Sequence, residues 1–129
     1  MAYINTEAFD AGLDYLDTNG TRIDITVGEA TDYTEATGTY NGTTQLSAGN
    51  KTGLNTGAPV GGTGGQQVTV PAITDGTVSA TQTVTHWALT DGSAILLATG
   101  ALTAGQAVTA TNTFTLDAII IKYLDAVAA

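Results

Sequence analysis

The stretch HWALTDGSAILLATGAL, His86 to Leu102, decides how this chain is read. It places the only histidine and the only tryptophan side by side, followed by Asp91-Gly92 between two apolar runs. Asp-Gly flanked by such runs is the strongest short hairpin signal, a two-residue type I′ turn. That turn sets a register: Thr90 opposite Ser93, Leu89 opposite Ala94, Ala88 opposite Ile95, Trp87 opposite Leu96 and His86 opposite Leu97. Side chains alternate along a strand. Trp87, Leu89, Ala94 and Leu96 then share one face, and Val84, His86, Ala88, Ile95 and Leu97 share the other. On this reading Trp87 is a core anchor. His86 points the opposite way and is a histidine of a packed sheet surface, because no Ser, Cys or carboxylate stands at a spacing that would make it a triad member. The second face is nearly as apolar as the first, whereas a strand with one solvated face alternates more cleanly. A second sheet, the N-terminal helix or another protein must cover it. Val84, His86, Ala88, Ile95 and Leu97 are therefore the candidate subunit interface.

The pattern extends outward on both sides. Downstream, Phe114, Leu116, Ala118 and Ile120 lie on one side of a closing strand, with Ile119 and Ile121 on the other. Upstream, QQVTVPAI is followed by Asp75-Gly76, read as a turn, and Pro71 marks a strand end or an edge. RIDITVG, Arg22 to Gly28, alternates as a half-buried strand, with Ile23, Ile25 and Val27 opposite Arg22, Asp24 and Thr26. A helix is expected over residues 6–17. Asn5 or Thr6 caps it, Phe9, Leu13 and Leu16 form its apolar stripe, and Asn19-Gly20 supplies a left-handed end. One helical turn is expected around Tyr33 to Ala36. Residues 38–65 are so rich in glycine that they read as one long loop, with room for a short strand near Thr44 to Ala48, held in place by a partner surface. The fold expectation is mainly β: one domain, an antiparallel β-sandwich of jelly-roll or immunoglobulin-like kind, with one short N-terminal helix.

Composition narrows the function. The chain has 129 residues, 12% of them charged, about half the usual quarter. Threonine makes up about a fifth of it, which suits a pleated surface. Three basic residues against twelve acidic ones, a net charge of −9, argue against nucleic acid and against anionic membrane surfaces. The absence of cysteine removes disulfides and thiolate metal sites. The start, MAYINTEAFDAG, carries no secretory signal pattern.

Other candidate sites weigh little. Asp10, Asp14 and Asp17 run along a helix and lack the tight loop that calcium needs. DTNGTR starts like an EF-hand loop and lacks its later ligands. Asn19 and Asn41 begin glycosylation sequons but sit in turn-like Asn-Gly pairs. The glycines of residues 61–65 precede a strand and no lysine, so they make no phosphate loop. Tyr33 and Tyr40 beside the long loop are thin support for sugar stacking. No catalytic residue, cofactor or metal is expected.

The stretch VTVPAITDGTVSATQTVTHWALTDGSAILLATGALTAGQAVTATNTFTLDAIII, residues 68–121, resembles a family of small structural proteins of tailed bacteriophages. GLDYLDTNGTRIDI, residues 12–25, is similar to the start of those proteins. The resemblance implies a non-enzymatic virion component made in the host cytoplasm. The preferred expectation is a decoration or cement protein on the head surface, whose partners are the major capsid protein and copies of itself, as a trimer. The alternatives are a tail-fibre, collar or receptor-binding module with glycan affinity, and a secreted adhesin-like sandwich of cellular origin.

Overall fold

A computed structural model describes the backbone of residues 6–62 and 65–124, and side chains from Leu13 to Gly61 and from Gln66 to Lys122. The chain is mainly β, with two helices among the described residues. The elements are α1 (Thr6–Asn19), β1 (Arg22–Thr26), α2 (Tyr33–Thr37), β2 (Ser47–Thr52), β3 (Val60–Gly62), β4 (Gly65–Val70), β5 (Ile73–Val78), β6 (Gln82–Thr90), β7 (Leu96–Val108), β8 (Thr113–Leu116) and β9 (Ile119–Leu124). Six strands form one antiparallel sheet in the order β7-β6-β1-β2-β5-β8, and β3-β4-β9 form a second.

The chain passes between the sheets three times, after β2, β4 and β8, and the last two passages are legible in local chemistry. Pro71 and Ala72 separate β4 of the small sheet from β5 of the large one. Proline has no amide for a ladder, so the strand ends there as expected. Asp117 and Ala118 separate β8 from β9 in the return direction. This second break corrects the single closing strand expected from the sequence. Phe114 and Leu116 point inward before it, and Ile119 and Ile121 pack inward after it, leaving Ile120 54% exposed. Two strands with opposite phase had looked like one strand apolar on both faces.

One apolar core lies between the sheets and α1. Ile23 and Ile25 of β1, Val84, Trp87 and Leu89 of β6, Val68 and Val70 of β4, Phe114, and Leu13 and Leu16 of α1 all contribute to it. The helix is two residues longer than expected. Its end is not left-handed: Gly20 is needed because a Cβ there would sit 2.6 Å from the Leu16 carbonyl oxygen and 3.2 Å from Leu89. Leu13 and Leu16 are buried as their spacing implied. Asn5 and the side chains of Phe9 and Asp10 lie outside the described residues.

Residues 38–65 are not one loop. β2 is a central strand, paired with β1 on one side and β5 on the other. Its sequence, SAGNKT, hides this because the site demands small residues: a Cβ at Gly49 would lie 2.4 Å from the Thr77 carbonyl oxygen. Asp75-Gly76 is not a turn either. It runs inside β5 at a register shift, and Gly76 leaves room for the Phe114 ring, 2.2 Å from where a Cβ would be.

β1 is buried on both faces, so the half-buried reading of RIDITVG also changes. Asp24 and Thr26 are as hidden as Ile23 and Ile25. The cover is α2 and the segments around it. Asp32 caps α2 by accepting the Glu35 amide at 2.8 Å, and Glu35 reaches back to the Thr31 amide at 2.7 Å, a capping-box-like exchange.

Candidate functional site

The five proposed interface residues do not share a surface. The loop after β6 is five residues long, Asp91 to Ile95, closed by the Asp91 amide donating to the Ile95 carbonyl at 3.1 Å. The carboxylate of Asp91 accepts the amides of Ser93, Ala94 and Ile95 at 2.8, 2.8 and 3.0 Å. A side chain that holds three amides favours the longer loop over the two-residue turn. These three hydrogen bonds hold the Asp91 carboxyl below its ordinary range. The register moves accordingly: Thr90 pairs with Leu96, Leu89 with Ala98, Ala88 with Thr99, Trp87 with Gly100 and His86 with Ala101.

Two irregularities then reassign the faces. One falls between Leu89 and Thr90, so Leu97 packs toward the main core while Leu96 packs on the opposite face. The other falls between Val84 and His86, where Gln106 is followed by Ala101 in the pairing with β7. Val84 is wholly buried in the main core with Trp87. Ala88 is wholly buried against Ala30 and Ala36 of this same chain. Ile95 is 44% exposed at the loop, and His86 is half-buried with Nδ1 2.8 Å from the Thr85 hydroxyl. The second face is thus covered from within, by α2.

A polar cluster fastens that cover. Arg22 Nε and Nη2 donate to the two carboxylate oxygens of Asp24 at 2.7 and 2.9 Å, and Ser47 Oγ donates to Asp24 at 2.6 Å. Arg22 Nη2 also donates to the Thr37 carbonyl at the end of α2, at 3.1 Å. Burial pushes the Asp24 carboxyl above its ordinary value, against the opposing pull of these hydrogen bonds. Asp24 and Ser47 are sealed from solvent, which suits a structural clamp.

Among the described residues, an accessible cleft of about 330 Å³ lies between the sheet's two edges. Ala101, Leu102 and Gln106 of β7 line one side, Leu116, Asp117 and Ile119 the other, and Trp87 lies between. β7 and β8 are opposite ends of the strand order, so the large sheet curls until they face each other. At one end the turn after β7 joins them and is held against the connection from β5 to β6: Asn112 accepts the Val78 amide at 3.0 Å and Ala110 donates to the Thr81 hydroxyl at 3.0 Å. Thr111 adopts φ 74° in this turn, a conformation that β-branched residues resist. Gly100 admits the indole, since a Cβ there would fall 2.6 Å from Trp87 Cε2.

The cleft offers apolar area, hydroxyls, one amide and one carboxylate. That set suits an extended segment of another protein or a neutral polar ligand. Sequence reading did not find it, because its two walls belong to opposite sheet edges and Trp87-Gly100 become partners only in the shifted register. Among the described residues no three His, Asp or Glu side chains gather where they could hold a metal ion, and no helix is long and apolar enough to cross a membrane. Comparison with protein-family models, with curated proteins and with solved structures finds no match to this chain.

Proposed function

We propose that this chain is a non-enzymatic structural component of a tailed-bacteriophage virion, a decoration or cement subunit on the outer surface of the head. The observation that carries a protein-binding role is the open edge formed by β7. This strand of 13 residues has β6 as its sheet neighbour on one side, and its segment Ala101–Gly105 is largely exposed beside the cleft. An edge strand next to a cleft lined by both polar and apolar groups can accept a strand or arm from a neighbouring protein. The resemblance of residues 68–121 to small phage structural proteins supplies the virion setting. The partners on this reading are the major capsid protein and other copies of this chain, as a trimer. Added contact area between capsomers would stabilise the particle by mass action. An antiparallel β-sandwich of jelly-roll or immunoglobulin-like kind is part of the same proposal, supported by two sheets sharing one core.

The test is a phage lacking the gene. Its heads should lose resistance to heat or osmotic shock and regain it when the purified protein is added. Labelled protein should be imaged on heads in stoichiometric copies. Finding it on purified tails and not on heads would end this reading. The cleft beside Trp87 favours one second reading, a receptor-binding tail or collar module that takes a sugar there. That reading requires binding on a glycan array and weaker host adsorption when the gene is deleted.

A further inference from the structure

Two loops of this protein are built to one plan. In Asn41–Gln45 the side-chain Oδ1 of Asn41 accepts the amides of Thr43, Thr44 and Gln45 at 2.9, 2.9 and 3.1 Å, and the Asn41 amide donates to the Gln45 carbonyl at 3.2 Å. Asp91–Ile95 repeats every one of these bonds. In both, the second residue is a glycine with positive φ, 80° at Gly42 and 75° at Gly92. At the residue that gathers the three amides the loops differ by an amide at 41 and a carboxylate at 91, and Asn41 Nδ2 makes long contacts to Thr44 Oγ1 and Gln45 Oε1 at 3.4 and 3.5 Å.

We propose that Asn41 is a site of spontaneous covalent modification in the folded protein, converting through a cyclic imide to aspartate and isoaspartate, and that Asn19, the other asparagine followed by glycine, is protected by the fold. Hydroxide removes the Gly42 amide proton, and the nitrogen attacks Asn41 Cγ. A new C–N bond forms, and negative charge develops on Oδ1. The amides of Thr43, Thr44 and Gln45 already point at that oxygen, as donors do in an oxyanion hole. Collapse breaks the Cγ–Nδ2 bond and releases ammonia, which takes its proton from water. Water then opens the imide at either carbonyl. The net change consumes one water and releases one ammonia.

The surroundings separate the two asparagines. Asn41 and Gly42 are exposed, and a Cβ at Gly42 would meet nothing nearer than the Tyr40 hydroxyl at 3.8 Å, so the nucleophile has room. At the other pair the Gly20 amide donates to the Leu16 carbonyl at 2.7 Å, Gly20 is buried, and Asn19 Nδ2 is tied to the Tyr15 carbonyl at 3.0 Å. Asn50, Asn55 and Asn112 precede Lys51, Thr56 and Thr113, whose side chains obstruct the attack. Asp91 is spared for another reason: its carboxylate is a poor electrophile, and the Gly92 amide donates to the Thr90 hydroxyl at 3.2 Å. The aspartate product at residue 41 would reproduce the Asp91 loop. The isoaspartate product lengthens the main chain and breaks the Asn41-to-Gln45 closure.

The experiment incubates the folded full-length chain at mildly alkaline pH, follows the gain of one mass unit and the ammonia released, and locates the change by peptide mapping that distinguishes aspartate from isoaspartate. Modification should occur at Asn41 about tenfold or more faster than at Asn19. In urea the difference should vanish. Asn41→Asp should show no mass gain while keeping its circular dichroism, and Gly42→Ala should slow the reaction. If Asn41 stays intact in the folded chain while the denatured chain reacts, or if Asn19 keeps pace with it in the folded chain, the proposal fails.

Discussion

On one face of the large sheet Ile23, Ile25, Trp87 and Leu89 meet the small sheet and α1. On the other, Arg22, Asp24, Ser47 and Ala88 meet α2 and its flanking segments. Leu89 and Asp24 are equally hidden, at 0% exposure. The first face is sealed by apolar area from three separate elements, which is non-directional and adds with every side chain. The second is sealed by a small helix over two alanines, held by a few hydrogen bonds of defined geometry. Equal burial therefore does not mean equal contribution. The polar face also has an escape: the Arg22 side chain is 20% exposed and can turn to water if its partner is lost.

This comparison can be broken at four points. The largest effect is expected from Leu89→Ala, which leaves a cavity between elements that cannot collapse together and should lower stability by about 2–5 kcal/mol in urea unfolding. Asp24→Ala comes next, at about 1–3 kcal/mol, because it removes the 2.6 Å acceptor of the buried Ser47 hydroxyl, leaving that group the longer 3.2 Å bond to the Gly49 carbonyl, while Arg22 can rehydrate. A loss from Asp24→Ala as large as that from Leu89→Ala would show the α2 cover to be as integral as the core. Ser47→Ala should be smaller, about 1 kcal/mol, with faster amide exchange in α2 as the added sign that the cover has loosened.

The smallest effect is the dependence on pH. The folded Asp24 carboxyl is raised above its ordinary value of 3.8, so between those two values the native state holds more proton than the unfolded chain. Its contribution to stability then falls as pH rises through that window and stays flat above it. The gap between the native chain and Asp24→Asn should widen on acidification from neutral pH into the window. Asp91 and Asp75 are held low by their hydrogen bonds, so they act in the opposite sense and lose their contribution as pH falls below the ordinary carboxylate value. A gap that narrows on acidification would mean that the ion pair, not burial, governs Asp24.

Much of the fold was readable because some signals are local. Leu13 and Leu16 lie on one helical stripe, Pro71 ends a strand, and Tyr33 to Ala36 form a helical turn. What misled was phase. A strand's side chains alternate with a period of two, so one inserted or skipped residue exchanges the faces. That happens between Val84 and His86, again between Leu89 and Thr90, and once more at Asp117-Ala118. The breaks at Val84-His86 and Asp117-Ala118 made one inward-facing set of residues look like two, while Ala88 lies on a second buried face, under α2. The subunit interface drawn from Val84, His86, Ala88, Ile95 and Leu97 rested on an unbroken phase along these strands. The cleft was illegible for a related reason, since its walls come from opposite edges of the sheet and meet only when the sheet curls.

By itself the sequence determined a β-rich chain, strongly acidic, with a helix near its start, a tryptophan in its core and a proline at a strand end. These follow from side-chain chemistry and spacing that act over a few residues. Tertiary structure alone decided that SAGNKT is a central strand, that Asp75-Gly76 lies inside a strand and that α2 covers the second face. In each case the deciding quantity is the distance between atoms far apart in the chain: Gly49 against the Thr77 carbonyl, Gly76 against the Phe114 ring, Ala88 against Ala36. No local pattern encodes such distances, because glycine is required there by what approaches it and not by the conformation of its own backbone.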